Sequence, residues 1–219
     1  MLLRLGWHSP RMRLVSLIQS HATLGTREER NFTMAKWVFE PGHTAAEFCV
    51  RHMMVTNVRG HFKNVHGVLA FDPENPRRSW VEVTIQAGAI WTGEKDRDAH
   101  LRNSDFLDTE SHAVITFRST KVDLVGDLDY RVRGDLTIRG ITREVVLNVR
   151  YLGQWETPWW EDGMDKGPKT RAGFVATTTI NRHDFGVSWN AELESGGLVV
   201  GDLVEITIDA EAILEPQVP

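Results

Sequence analysis

From Trp37 onward the chain alternates apolar and polar residues with a period of two. Ala46, Phe48, Val50 and His52 interleave with Glu47, Cys49 and Arg51. Val81, Val83 and Ile85 interleave with Glu82, Thr84 and Gln86. Tyr130, Val132, Gly134, Leu136 and Ile138 interleave with Arg131, Arg133, Asp135, Thr137 and Arg139. The rhythm recurs through Val145, Leu147, Val149 and Tyr151, and again through Val204, Ile206, Ile208, Ala210 and Ala212. Successive side chains of a strand point to opposite faces, so each run has one apolar and one wet face. One-sided strands of this kind belong to antiparallel sheet rather than to parallel sheet buried on both sides.

Shorter strands fit between these runs, near residues 61–71, 113–122 and 173–181, for a total of about eight. Asp72-Pro73-Glu74-Asn75-Pro76 reads as a loop, and Gly126-Asp127-Leu128-Asp129 and Arg139-Gly140-Ile141-Thr142 read as hairpin connections. Two regions break the rhythm. Residues 94–107 predict a short helical segment with Leu101 and Phe106 facing inward. Residues 155–170, with Trp155, Pro158, Trp159, Trp160, Gly163, Gly167 and Pro168, predict a long loop. The expected fold is all-β: an eight-stranded antiparallel up-and-down β-barrel, since closure removes exposed edges.

Composition narrows this picture. The chain has 219 residues, 41% of them hydrophobic, enough for one domain with a sizeable core. A formal net charge of −5 disfavours nucleic acid, whose phosphates need a basic surface. A single cysteine, Cys49, cannot form an intrachain disulfide, so the fold does not depend on an oxidising compartment. No apolar run approaches the ~18–20 residues of a membrane helix. Residues 1–33 lack the β rhythm and mix Arg4, Arg11 and Arg13 with short apolar patches. The longest patch is shorter than the ~7–15 residues of a secretory signal. These residues are expected to be a disordered extension or an over-extended reading frame, ahead of a barrel domain at 34–219. A weak export signal is the alternative. The expected location is cytoplasmic, with periplasmic or secreted as the alternative.

Candidate chemistry is sparse. Nine histidines invite a metal, but His52, His61, His66 and His100 show no paired zinc spacing and there is no cysteine cluster. On an unbroken pleat, His61 and His66 would face opposite sides. No metal and no cofactor are expected. Arg97-Asp98-Ala99-His100-Leu101-Arg102 is dense in acid and base, suited either to proton transfer or to a structural knot tying a loop to the barrel end. Trp159-Trp160 suits loop packing or a transient contact with a membrane surface, since tryptophan favours apolar–polar boundaries.

Several motifs occur together in order: Phe48-Cys49-Val50-Arg51-His52, Val58-Arg59-Gly60-His61-Phe62, Arg97-Asp98-Ala99-His100-Leu101-Arg102-Asn103-Ser104-Asp105-Phe106-Leu107-Asp108 and Ile115-Thr116-Phe117-Arg118-Ser119-Thr120. Gly134-Asp135-Leu136-Thr137-Ile138-Arg139-Gly140, Ile180-Asn181-Arg182-His183-Asp184-Phe185-Gly186 and Val200-Gly201-Asp202-Leu203-Val204 complete the set. From Trp37 to about Glu215 the chain resembles the YceI-like family, lipocalin-like barrels that bind polyisoprenoids and related amphiphiles. The resemblance implies a homodimer. Many relatives carry an export signal, which this chain lacks in convincing form.

An eight-stranded barrel is just wide enough to hold one small ligand. The function expected is therefore binding, sequestration or transport of a long-chain isoprenoid, isoprenoid quinone or fatty-acyl derivative in an apolar tunnel, without catalytic residues. The expected ligand-binding residues are Phe48, Val50, His52, Phe62, Ile85, Phe106, Phe117, Leu136, Ile138 and Phe174. Two alternatives stand beside it: an enzyme acting on such a lipid through acid–base residues in 97–105, and a structural barrel filled by its own side chains. Residues 34–219 expressed alone should melt at the same temperature as the full chain; a loss of several degrees in a thermal scan would mean that residues 1–33 pack on the barrel.

Overall fold

The structure is a computed structural model describing residues 34–194 and 196–216. The expectation for residues 1–33 lies outside the described residues. The strands are β1 (Lys36–Phe39), β2 (Ala45–His52), β3 (Thr56–Phe62), β4 (His66–Ala70), β5 (Trp80–Gln86), β6 (Ile90–Trp91), β7 (Val114–Leu124), β8 (Asp129–Ile138), β9 (Ile141–Glu161), β10 (Met164–Asn181) and β11 (Val200–Leu214). One α-helix, α1 (Lys95–Arg102), lies within the span predicted to be helical.

The cycle β1–β4–β5–β7–β8–β9–β10–β11 closes on itself, because β11 pairs with β1 as well as with β10. Lower down, β11 pairs with β2, β2 with β3, and β3 with β6. So β1 and β2 are one long strand broken once, as are β3 with β4 and β5 with β6. Spatial order then follows sequence order in an eight-stranded antiparallel up-and-down barrel, as the periodicity predicts.

Each break has a local cause. At the first, the seven steps from Phe39 to Ala46 face only four on β11, from Ala212 to Ile208. Glu40 N–H still donates to Glu211 O at 2.8 Å, and Thr44 Oγ1 bonds the Glu211 backbone, so residues 41–43 loop outward. At the second, Asn64 adopts a left-handed φ of 56°. That break disrupts the pleat between His61 and His66: Phe62, Val65 and Leu69 line the interior, His66 is exposed, and His61 packs on the exposed Trp91 at 4.8 Å. At the third, Ala87–Ala89 makes a single 3₁₀ turn.

Residues 155–170 are not the predicted loop. β9 and β10 continue there as a two-stranded arm, with Pro158 opposite Pro168 and an irregular register between Asp165 and Pro168. Proline is excluded from central strands because it lacks an N–H, but a ribbon with free edges tolerates it. The arm turns through Asp162 and Gly163, both at positive φ (51° and 75°), the conformation of a tight hairpin. Trp155, Trp160 and Met164 on it are exposed.

Inside the barrel, three glycines sit under phenylalanine rings. A Cβ at Gly60, Gly67 or Gly134 would lie 2.4 Å from a ring carbon of Phe48, Phe39 or Phe117 respectively. The Phe117 ring thus occupies the room that the missing side chain of Gly134 leaves. At the end bearing the arm, the upper end, the Phe71 ring packs on Tyr130, Tyr151 and Phe174 at centroid distances of 5.6, 4.9 and 5.4 Å. Burial pushes the Tyr130 phenol above its ordinary value, and burial followed by the neighbouring Tyr130 does the same for Tyr151.

Gly67→Ala should destabilise the protein by ~1–3 kcal/mol through overpacking. Pairing it with Phe39→Leu should recover part of that loss, read as a non-zero coupling in a double-mutant cycle of urea midpoints. The two tyrosines of the sequence are Tyr130 and Tyr151, so tyrosinate absorbance in an alkaline titration reports this cluster alone. Its midpoint should lie above the ordinary value of 10.0. The unfolded phenols titrate near ~10, so their contribution to stability is complete below that pH and is lost as pH rises through the elevated folded values.

Candidate ligand-binding site

The barrel encloses a cavity of about 200 Å³. Alternation builds its wall. On β8, Tyr130, Val132, Leu136 and Ile138 face it; on β9, Val145, Leu147 and Val149 do; on β11, Ile206, Ile208 and Ala210 do. Of the residues expected to bind ligand, Phe48, Phe62, Ile85, Phe117, Leu136, Ile138 and Phe174 line this cavity. Glu47 is the one charged residue among the described lining residues, and it is exposed. Ser79, Thr116, Thr178 and the Tyr130 phenol supply the few polar groups.

Val50, His52 and Phe106 are not in the lining. Val50 shares a face with Phe48 but lies one pair further down, against Val204 and Val58. His52 ends β2 against Val200 and Thr56, lower still. Phe106 is buried instead in a plug at the lower end, packed on His100 at 4.9 Å and on Trp189 at 5.4 Å. The wall also includes Phe39, Val65 and Phe71, which belong to or flank the broken first strands. A break shifts the phase of the alternation, so a strict count of two cannot assign them a face.

The plug is held by charged groups bonded to one another and to backbone carbonyls and N–H groups. Glu94 caps α1, accepting from Asp96 N–H at 3.1 Å and Arg97 N–H at 2.7 Å, and these backbone bonds hold its carboxyl below the usual range. Asp98, 5% exposed, accepts from the backbone N–H and hydroxyl of Thr92. Arg97 donates to Thr92 Oγ1 at 2.7 Å, and Arg102 to the carbonyls of Gly88 and Ile90 at 2.8 and 2.7 Å. His100 Nε2 lies 2.9 Å from Asp105 Oδ2.

Arg182, 4% exposed, anchors the other half of the plug. It donates to the carbonyls of Val187, Trp189, Gly201 and Val200 at 2.7, 2.9, 2.9 and 3.2 Å. Burial lowers its guanidinium below the ordinary value, opposed by Asp202 at 3.9 Å. Arg139 joins the two halves, donating to Phe106 O at 2.8 Å and Gly186 O at 3.1 Å. Chemically, the site offers an apolar enclosure closed below by a hydrogen-bonded plug.

Known proteins share this architecture. The YceI-like domain profile matches residues 37–212. A UPF0312 protein of Pectobacterium atrosepticum is 37% identical over 149 residues, covering 68% of this chain and 73% of that protein. Burkholderia cenocepacia BcnA has the same fold at a TM-score of 0.64 and 21% identity, covering 79% of this chain and 98% of that one. A polyisoprenoid binding domain from Saccharophagus degradans also shares it, at a TM-score of 0.59 and 15% identity over 83% of this chain and 99% of that one. With the profile matched across the whole barrel, the chain belongs to the YceI-like domain family.

Proposed function

We propose that this chain binds a long-chain amphiphile, an isoprenoid or fatty-acyl molecule, as a carrier or buffer with its hydrocarbon inside the barrel. The observation that carries the reading is the enclosed wall, apolar on every strand and almost free of polar groups. Burial of hydrocarbon there returns roughly 25 cal/mol per Å² of apolar area. The polyisoprenoid-binding domain of Saccharophagus degradans, built on the same fold, supports it. By the measure in which one water needs ~10–15 Å³, the cavity of about 200 Å³ admits on the order of fifteen water-sized groups. A medium acyl or short prenyl chain therefore fits as the walls stand, and a longer chain has to move a ring such as Phe71 or leave its head outside.

The upper end suits entry. Leu124, Val125 and Leu128 in the β7–β8 turn and Leu152 and Trp155 at the root of the arm are exposed there, an apolar rim suited to transient contact with a lipid surface. The homodimer that the family resemblance implies belongs to the same proposal. The binding reading is favoured over an enzyme acting through 97–105 because the charged groups of that run are engaged in the plug rather than turned to the cavity.

Leu136→Trp should abolish binding of a fluorescent fatty-acyl or prenyl probe while costing ~1–3 kcal/mol of stability. Leu203→Trp, which adds the same side chain at an exposed position, should bind the probe like the parent. Equal probe affinity in folded Leu136→Trp and parent would place the ligand outside the barrel.

A further inference from the structure

Where β1 breaks and β2 begins, two carboxylates and an imidazole converge on the outer face of the barrel. Glu211 points outward from β11, between the inward Ala210 and Ala212. Glu40 ends β1, and the excursion of residues 41–43 folds His43 back over it, with His43 N–H donating to Glu40 O at 3.1 Å. Gly42 permits this: a Cβ there would lie 3.0 Å from Glu40 Oε2.

His43 Nδ1 lies 2.9 Å from Glu40 Oε2 and 3.6 Å from Glu211 Oε1, and the three atoms all lie within 4.8 Å of one another. Both oxygens are sealed from solvent, yet neither has a hydrogen-bond partner among the described residues. The imidazole nitrogen thus approaches two anionic oxygens without an aligned bond to either. A proton on Nδ1 serves one oxygen at a time, whereas a cation between the three atoms serves both. Arg171 also faces the cluster, with Nη1 3.2 Å from Glu211 Oε1 and its guanidinium carbon 5.2 Å from the Trp159 ring centroid. The cluster thus sets two carboxylates beside one guanidinium.

We propose that Glu40, His43 and Glu211 bind a divalent transition ion of the zinc class, with water completing its shell. One imidazole and two carboxylates are borderline donors suited to such an ion, and three protein ligands leave a position open. Bonds of about 2.1 Å at tetrahedral angles place donors about 3.4 Å apart. The two separations from His43 Nδ1, 2.9 and 3.6 Å, bracket that spacing, and the two carboxylate oxygens, within 4.8 Å of each other, would close on the ion as it binds. His43 is 63% exposed, so the open position faces solvent. The ion would pin the excursion to β11 beside the seam that closes the barrel. This proposal is independent of what the cavity holds.

The test uses the metal-stripped full chain, with Zn²⁺ followed by calorimetry and Co²⁺ by visible absorbance. One Zn²⁺ per chain should bind and raise the melting temperature, because an ion that binds only the folded state stabilises it. His43→Ala, at an exposed position, and Glu40→Gln should each weaken binding at least about tenfold and remove the thermal shift. His66→Ala, at an exposed histidine elsewhere, should do neither. Absence of Zn²⁺ binding by the parent, or binding retained in folded His43→Ala, overturns the proposal. A melting temperature unmoved by added Zn²⁺ overturns it as well.

Discussion

The interior depends on glycines placed where phenylalanine rings must lie. An eight-stranded barrel has little width to spare. A ring projecting straight toward the axis would fill it, and a ring lying along the wall needs a neighbour without a side chain. Gly60, Gly67 and Gly134 provide that neighbour for Phe48, Phe39 and Phe117. Large apolar area is thereby buried against the wall while the centre stays open. Phe117 and Phe39 belong to the packed core and at the same time border the cavity, so stability and capacity are set by the same side chains.

The two ends are built on opposite principles. Below, a buried guanidinium with four carbonyl partners and a buried carboxylate satisfied by Thr92 make a polar plug. Removing either partner set would strand a buried charge, which is far costlier than the bonds themselves suggest. Above, the same chain places packed aromatic rings and exposed aliphatic side chains. That contrast gives the barrel a direction: one end is fixed by directional bonds, the other by apolar contacts without a preferred direction.

Much of the barrel was legible from alternation. β7, β8, β9 and β11 show their inward faces residue by residue, and so Phe117, Leu136 and Ile138 fall on the cavity. Reading failed where the strand itself fails. The breaks at 40–44 and 63–65 shift the phase, hiding Phe39 and Val65 and misplacing His66. Val50 has the right face at the wrong height, since period two says nothing of where along the axis a cavity stops. Phe106 lies in a turn after α1, where no period applies. The arm was missed because its prolines are excluded from a central strand, whereas beyond the barrel rim the ribbon has no neighbours to require their N–H groups. The Glu40–His43–Glu211 cluster draws its members from positions 40 and 211, a distance that no local spacing rule spans.

The seam strand makes closure of the barrel a long-range matter. β11 follows the other described strands in sequence, and it is partner to β1, β2 and β10 together. Without its pairings the sheet would be open, with β1 and β2 on one border and β10 on the other. Contacts between residues so far apart in sequence are slow to form. Closure of the barrel therefore rests on pairings as distant as Thr44 with Glu211, 167 residues apart, so the seam is the long-range contact on which every inward face depends.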